Sequence, residues 1–86
     1  MKLNKNFIVH KNKKEVIVVP SGKAKFSGVI NGNETFGVIL DFLKKDTTEE
    51  KIISEMKKIY NDDSGQIEKD VKMTISRLKK VGAIDE

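Results

Sequence analysis

Residues 33–45 read NETFGVILDFLKK, and the spacing of their apolar side chains decides how the rest of the chain must be arranged. At about 100° per residue, Phe36, Ile39, Leu40 and Leu43 share one helix face. Val38 and Phe42 share another, which leaves a narrow polar strip of Gly37, Asp41 and Lys44. A helix that is apolar over most of its circumference needs cover on more than one side. The stretch is therefore expected to be a central core helix, with a sheet against one face and later helices against the other. Asn31 or Asn33 can cap its start, and Glu34 suits the positive end of the helix dipole. Lys44 and Lys45 suit the opposite end.

The chain before this helix is β-prone. Phe7-Ile8-Val9-His10 is a short apolar run, interrupted by Asn12-Lys13-Lys14. Glu15 to Val19 (EVIVV) is the strongest strand signal, and Pro20-Ser21-Gly22 marks a turn. Lys23 to Ile30 alternates, with Ala24, Phe26, Gly28 and Ile30 on one face and Lys23, Lys25, Ser27 and Val29 on the other. That pattern fits a half-buried strand with one wet face. Gly28 within it suggests a bulge or the close approach of another backbone. Asn31-Gly32-Asn33 reads as the turn that closes the sheet. Strands are expected at 5–11, 15–20 and 23–30. The short loops between them require an antiparallel meander.

After the central helix (33–45), two more helices are expected at 48–60 and 66–81. Thr47, with Glu50 after it, matches a capping box. The second helix then carries an apolar stripe of Ile52, Ile53, Met56, Ile59 and Tyr60. The third carries Ile67, Val71, Thr74, Ile75 and Leu78, with Val81 at the margin, and stops at Gly82. Met73 falls outside that stripe, among Lys69, Arg77 and Lys80. An adaptable apolar side chain among basic groups suits a peptide contact, although the helix alone favours a solitary surface methionine of no consequence.

The whole reads as one α+β domain over residues 1–86, three strands followed by three helices (βββααα). The composition, 37% hydrophobic and 35% charged, is that of a small globular domain with a heavily charged surface. The absence of cysteine removes disulfides, thiolate metal sites and cysteine nucleophiles, and fits a cytoplasmic location. No apolar run is long enough to span a bilayer or to form the core of a signal peptide.

Charge is unevenly spread. Residues 1–32 hold seven lysines against the single acid Glu15, a net of +6, whereas residues 33–86 carry a net of −2. The lysines either guard the edges of a small sheet or attract an acidic partner, a peptide or a phosphate backbone. Catalytic signatures are lacking. His10 is the only histidine, which makes a metal cluster an unsuitable reading. The serines lack a nucleophile-elbow frame, and the glycines lack the frame of a phosphate-binding loop. Asp62-Asp63-Ser64-Gly65 lacks the spacing of a calcium loop. No enzyme activity, metal or cofactor is expected.

The order of these pieces resembles the PqqD-like family, the peptide chaperones of pyrroloquinoline quinone biosynthesis. The same winged-helix-like module is the precursor-peptide recognition element of ribosomally made, post-translationally modified peptides. The resemblance rests on Asn33-Glu34-Thr35 with Ile39 and Leu43, on Thr48-Glu49-Glu50 with Tyr60, and on Asp70-Val71 with Leu78, Gly82 and Ile84. Ala83-Ile84 departs from it, standing where a bulkier pair is common.

The resemblance implies a domain that binds a leader peptide as a further strand beside the third strand, in a groove bordered by the third helix. A separate enzyme, often a radical S-adenosylmethionine enzyme, would then modify the peptide. Strand addition takes affinity from unpaired backbone groups and selectivity from side-chain pockets. The expected peptide contacts are Ala24, Lys25, Phe26, Ser27, Gly28, Val29 and Ile30 from the strand. Lys69, Met73, Arg77 and Lys80 are expected from the third helix. Two other readings compete: a winged-helix nucleic-acid binder, and a subunit that only stabilises an enzyme. Against the first, Glu68 and Asp70 occupy the turns with which a recognition helix meets bases. The exposed sheet edge could also pair with a second copy of the chain.

Overall fold

In the computed structural model, which describes residues 1–13, 15–22, 28–60 and 65–85, the apolar run after Glu15 becomes the middle strand of the sheet. Strand β1 (Lys2–Leu3) comes first in the chain, and β2 (Phe7–Lys11), β3 (Val16–Pro20) and β4 (Ile30–Gly32) follow. Helices α1 (Glu34–Phe42), α2 (Glu49–Ile59) and α3 (Gln66–Lys80) come next, and β5 (Ile84–Asp85) ends the described chain. The sheet is antiparallel in the order β2-β3-β4, with Val9 opposite Val18 and Val18 opposite Ile30. Its inner face buries Phe7, Val16, Val18 and Ile30. The α+β class with three antiparallel strands and three helices is thus as the sequence implies.

Helix α1 sits between the layers. Phe36, Ile39, Leu40 and Leu43 are buried, and α1 meets β3 and β4 on one side and α2 and α3 on the other. The narrow polar strip is where the sheet comes closest. Gly37 is buried there, and a Cβ at that position would stand 2.7 Å from Val16 Cγ2. Asp41, on the same strip, is held by Lys11 from β2 at 2.6 Å and by Lys44 at 3.4 Å.

Several boundaries differ from the sequence reading, each for a tertiary reason. Helix α1 ends at Phe42, so Lys44 and Lys45 lie beyond it. The Leu43 carbonyl accepts from the Leu3 N–H at 2.9 Å, which draws the chain out of the helix. Asn33 is the N-cap, its side chain accepting from the Phe36 N–H at 3.1 Å, whereas Asn31 belongs to β4. The cap of α2 is Thr48, which accepts from the Lys51 N–H at 3.1 Å, and not Thr47. Both backbone groups of Thr47 are already bonded to Met1. Ile59 is exposed, because the chain turns extended at Tyr60 and it is Tyr60 that packs on the core.

The third strand shifts as well. Of the expected 23–30, residues 23–27 lie outside the described residues, and the observed strand covers Ile30–Gly32. Asn31 and Gly32, read as a turn, pair with Ile17 and Val16. The pairing of β1 with β5 was not legible either, since each is only two residues long. It follows from the turn after α3. Gly82, at φ 76°, donates to the Lys79 carbonyl, and Ala83 donates to that of Leu78 at 2.8 Å. This closure satisfies the last carbonyls and aims Ile84 at Leu3. The small Ala83 is fully buried under it.

Two measurements test this packing. Gly37→Ala gains helix propensity but forces a methyl into Val16, so we expect a net loss of about 1 kcal/mol in urea unfolding. A gain of similar size would show that α1 can lift away from the sheet. The second concerns acid. Partial burial pushes the Asp41 carboxyl up, but the hydrogen bond and charge of Lys11, and then those of Lys44, override it and hold it below the ordinary range. Its contribution is therefore complete above the usual carboxylate value near pH ~4 and is lost as pH falls through the lower folded value. Asp41→Asn should cost about 0.5 kcal/mol at pH 7, discounted for exposure, and should flatten the fall of Tm below about pH 4. An unchanged acid limb would contradict this.

Candidate functional site

Gly32, at the end of β4, lies flat against the ring of Phe36. A Cβ there would come within 2.5 Å of Phe36 Cδ2 and 2.7 Å of Phe36 Cβ, so only glycine fits without displacing the ring. The backbone of β4 therefore passes directly over the start of α1. On the far side, the Arg77 guanidinium of α3 stands 5.9 Å from the centre of the same ring. Between these two walls runs an open cleft of about 210 Å³. Phe36 and Ile39 contribute to its lining from α1, Gly32 and Asn33 lie at the end of β4, and Asp70, Met73, Thr74 and Arg77 come from α3.

The cleft suits an extended chain with mixed side chains. Met73 is 64% exposed and supplies a flexible apolar contact. Asp70 and Arg77 put one acid and one base on the same wall, two turns apart. The Gln66 amide donates to Asp70 at 2.8 Å and holds that carboxylate in place. Along the other wall, β4 pairs with β3 on one side, and its outer edge has no strand partner among the described residues. Asn33 spends its side chain on the α1 cap, which fixes where β4 stops and the helix begins.

The expected contact residues fall in different places. Met73 and Arg77 line the cleft. Lys80 lines a separate hollow with Glu49, Lys72 and Ser76, and Lys69 is exposed on α3 outside both. Gly28 has φ 138°, a conformation that L side chains rarely adopt, and Val29 is 58% exposed. The Ile30 side chain is buried in the core, so only its backbone could meet a peptide. Ala24, Lys25, Phe26 and Ser27 lie outside the described residues.

Asp70 and Thr74 complete the helix wall and were missed in the sequence. Their signal was present, since positions 70, 73, 74 and 77 form an i, i+3, i+4, i+7 stripe. Thr74 was absorbed into the core stripe, and it is indeed buried. Among the described residues no group of three or more His, Cys, Asp or Glu could hold a metal ion. No described helix is long and apolar enough to cross a membrane.

Among solved structures, the chain is similar to one titled "TbiB1 in Complex with the TbiA(beta) Leader Peptide". The two are 18% identical, with a TM-score of 0.72 over 99% of this chain and 100% of that one, which establishes a shared fold. No curated protein matches the chain. The family described as coenzyme PQQ synthesis protein D matches residues 15–84, from the residue before β3 into β5. That match takes in the strand edge, the cleft and all three helices, and on it the chain belongs to the PqqD family.

Proposed function

We propose that this chain is a non-catalytic adaptor. It binds the leader of a ribosomally made precursor peptide and presents it to a modifying enzyme, for example a radical S-adenosylmethionine enzyme. The observation that carries this reading is the cleft between the β4 edge and α3, with a strand edge unpaired among the described residues on one wall and Asp70, Met73 and Arg77 on the other. A leader laid along β4 would draw affinity from backbone hydrogen bonds. Its inward side chains would reach Met73 and the rim of the Phe36 ring, and its charged ones Arg77 and Asp70. Family membership supports the same reading, as does a fold shared with a protein solved with a leader peptide bound. Chemistry on the peptide would belong to the enzyme, and both would act in the cytoplasm. Asp70 in the cleft wall opposes a phosphate backbone, which sets the nucleic-acid reading behind this one.

The peptide encoded beside the gene is the natural probe. Met73→Glu should weaken its binding by about tenfold in calorimetry and leave the circular dichroism unchanged, because Met73 projects to solvent. Arg77→Ala should weaken leaders that carry an acid opposite it, and should spare a leader whose acid is replaced by glutamine. Val29→Pro, folded and binding undiminished, would contradict strand addition beside β4.

A further inference from the structure

We propose that Thr74 is a specificity-determining residue of the cleft, and that its hydroxyl takes a neutral hydrogen-bonding side chain of the leader, a hydroxyl or a carboxamide. The proposal rests on the adaptor reading and adds what one position of the peptide must carry. Thr74 is 9% exposed, the one polar side chain in the core among the described residues, and it lines the cleft from α3. Its hydroxyl makes no hydrogen bond among the described residues, although buried polar groups are nearly always paired. Packing does not call for a hydroxyl here. The rest of the stripe is Ile67, Val71, Ile75 and Leu78, and a valine would fill the shape of Thr74 without the polar atom. Threonine has no advantage in helix propensity over valine either.

The surroundings of Thr74 say what it meets. Asp70 stands one turn before it on the same wall, with Oδ1 taken by the Gln66 amide at 2.8 Å. Thr35, half-buried in the first turn of α1, lines the same cleft, and its hydroxyl also has no hydrogen-bond partner among the described residues. A peptide lying over Thr74 displaces solvent from the hydroxyl. An apolar side chain would leave it dry and unpaired, which costs more than the bond itself contributes. A charged side chain would be drawn out of water onto a neutral group, which is costly as well. A hydroxyl or carboxamide both donates and accepts, so it can pair with Thr74 and still offer a donor to Thr35 or Asp70. The outer row of α3, Met73 and Arg77, is exposed and selects by apolar contact and charge. The inner threonine selects by hydrogen bonding.

Stability and affinity should therefore move apart. With no bond to lose inside the fold, Thr74→Val should keep or raise the Tm of the free chain. The same variant should weaken binding of the peptide encoded beside the gene by about fivefold in calorimetry. Thr74→Ser, which keeps the hydroxyl, should bind closer to the parent than Thr74→Val does. Each Ser, Thr, Asn and Gln of the peptide is then replaced in turn by Ala. One such position should weaken binding to the parent and make no difference to Thr74→Val, the signature of a direct pair. Parent-like binding by Thr74→Val would overturn the proposal, and so would a lower Tm, which would show that the hydroxyl already serves the fold. Lost affinity with no coupled peptide position would overturn it too, since the hydroxyl would then meet the peptide backbone. A parent chain that ignores the peptide would refute the adaptor reading and this proposal with it. A parent that binds, with Thr74→Val binding equally, would refute this proposal alone.

Discussion

Helix α1 has to be covered from two sides at once, and most of the architecture answers that need. Phe36, Ile39, Leu40 and Leu43 are all buried, and no single layer could bury them together with Gly37. The sheet approaches along the strip where the helix has no side chain, so Gly37 lets Val16 reach the helix backbone. Lys11 and Asp41 tie the two layers at the rim of that contact. The later helices close the other side with Ile52, Met56, Val71 and Leu78, all fully buried. In a chain of 86 residues the margin for such a core is small, so each close contact matters.

The same constraint creates the site. Because Gly32 must lie on the Phe36 ring, β4 ends directly over the first turn of α1. Because α3 packs into the core through Val71, Ile75 and Leu78, its other stripe of Asp70, Met73 and Arg77 faces back toward β4. The cleft is what remains between a strand and a helix that both pack on the same residues. Neither wall is specialised alone. A strand edge is a general hazard, and Met73 alone would be an unremarkable surface residue. Their convergence gives a surface that can read a chain by backbone and side chain together.

The helices and the antiparallel meander were legible because each carries a local signal: the α1 faces, the α2 and α3 stripes, and the apolar run of β3 between short turns. What escaped were features set by partners distant in sequence. Leu3 takes the Leu43 carbonyl and shortens α1, Met1 occupies Thr47 and moves the cap to Thr48, and β1 finds β5 across the whole chain. None of these leaves a local pattern. Half of the helix side of the site was visible, in Met73 and Arg77. Asp70 was read as an obstacle to base contact, and Thr74 was hidden by its place in the core stripe. Gly37 looked like part of a polar strip because a missing side chain reads the same whether it faces water or a close neighbour.

The central claim is that a leader peptide adds to the sheet at β4 and lies against α3. The most direct measurement is an NMR study of the chain saturated with the labelled leader, recording contacts between peptide backbone protons and those of residues 28–32. The account predicts strand-type contacts to Ile30–Gly32, slowed amide exchange on that edge, and peptide side-chain contacts to Phe36 and Met73. A bound peptide whose contacts fall elsewhere, with the β4 amides exchanging as in the free chain, would contradict it.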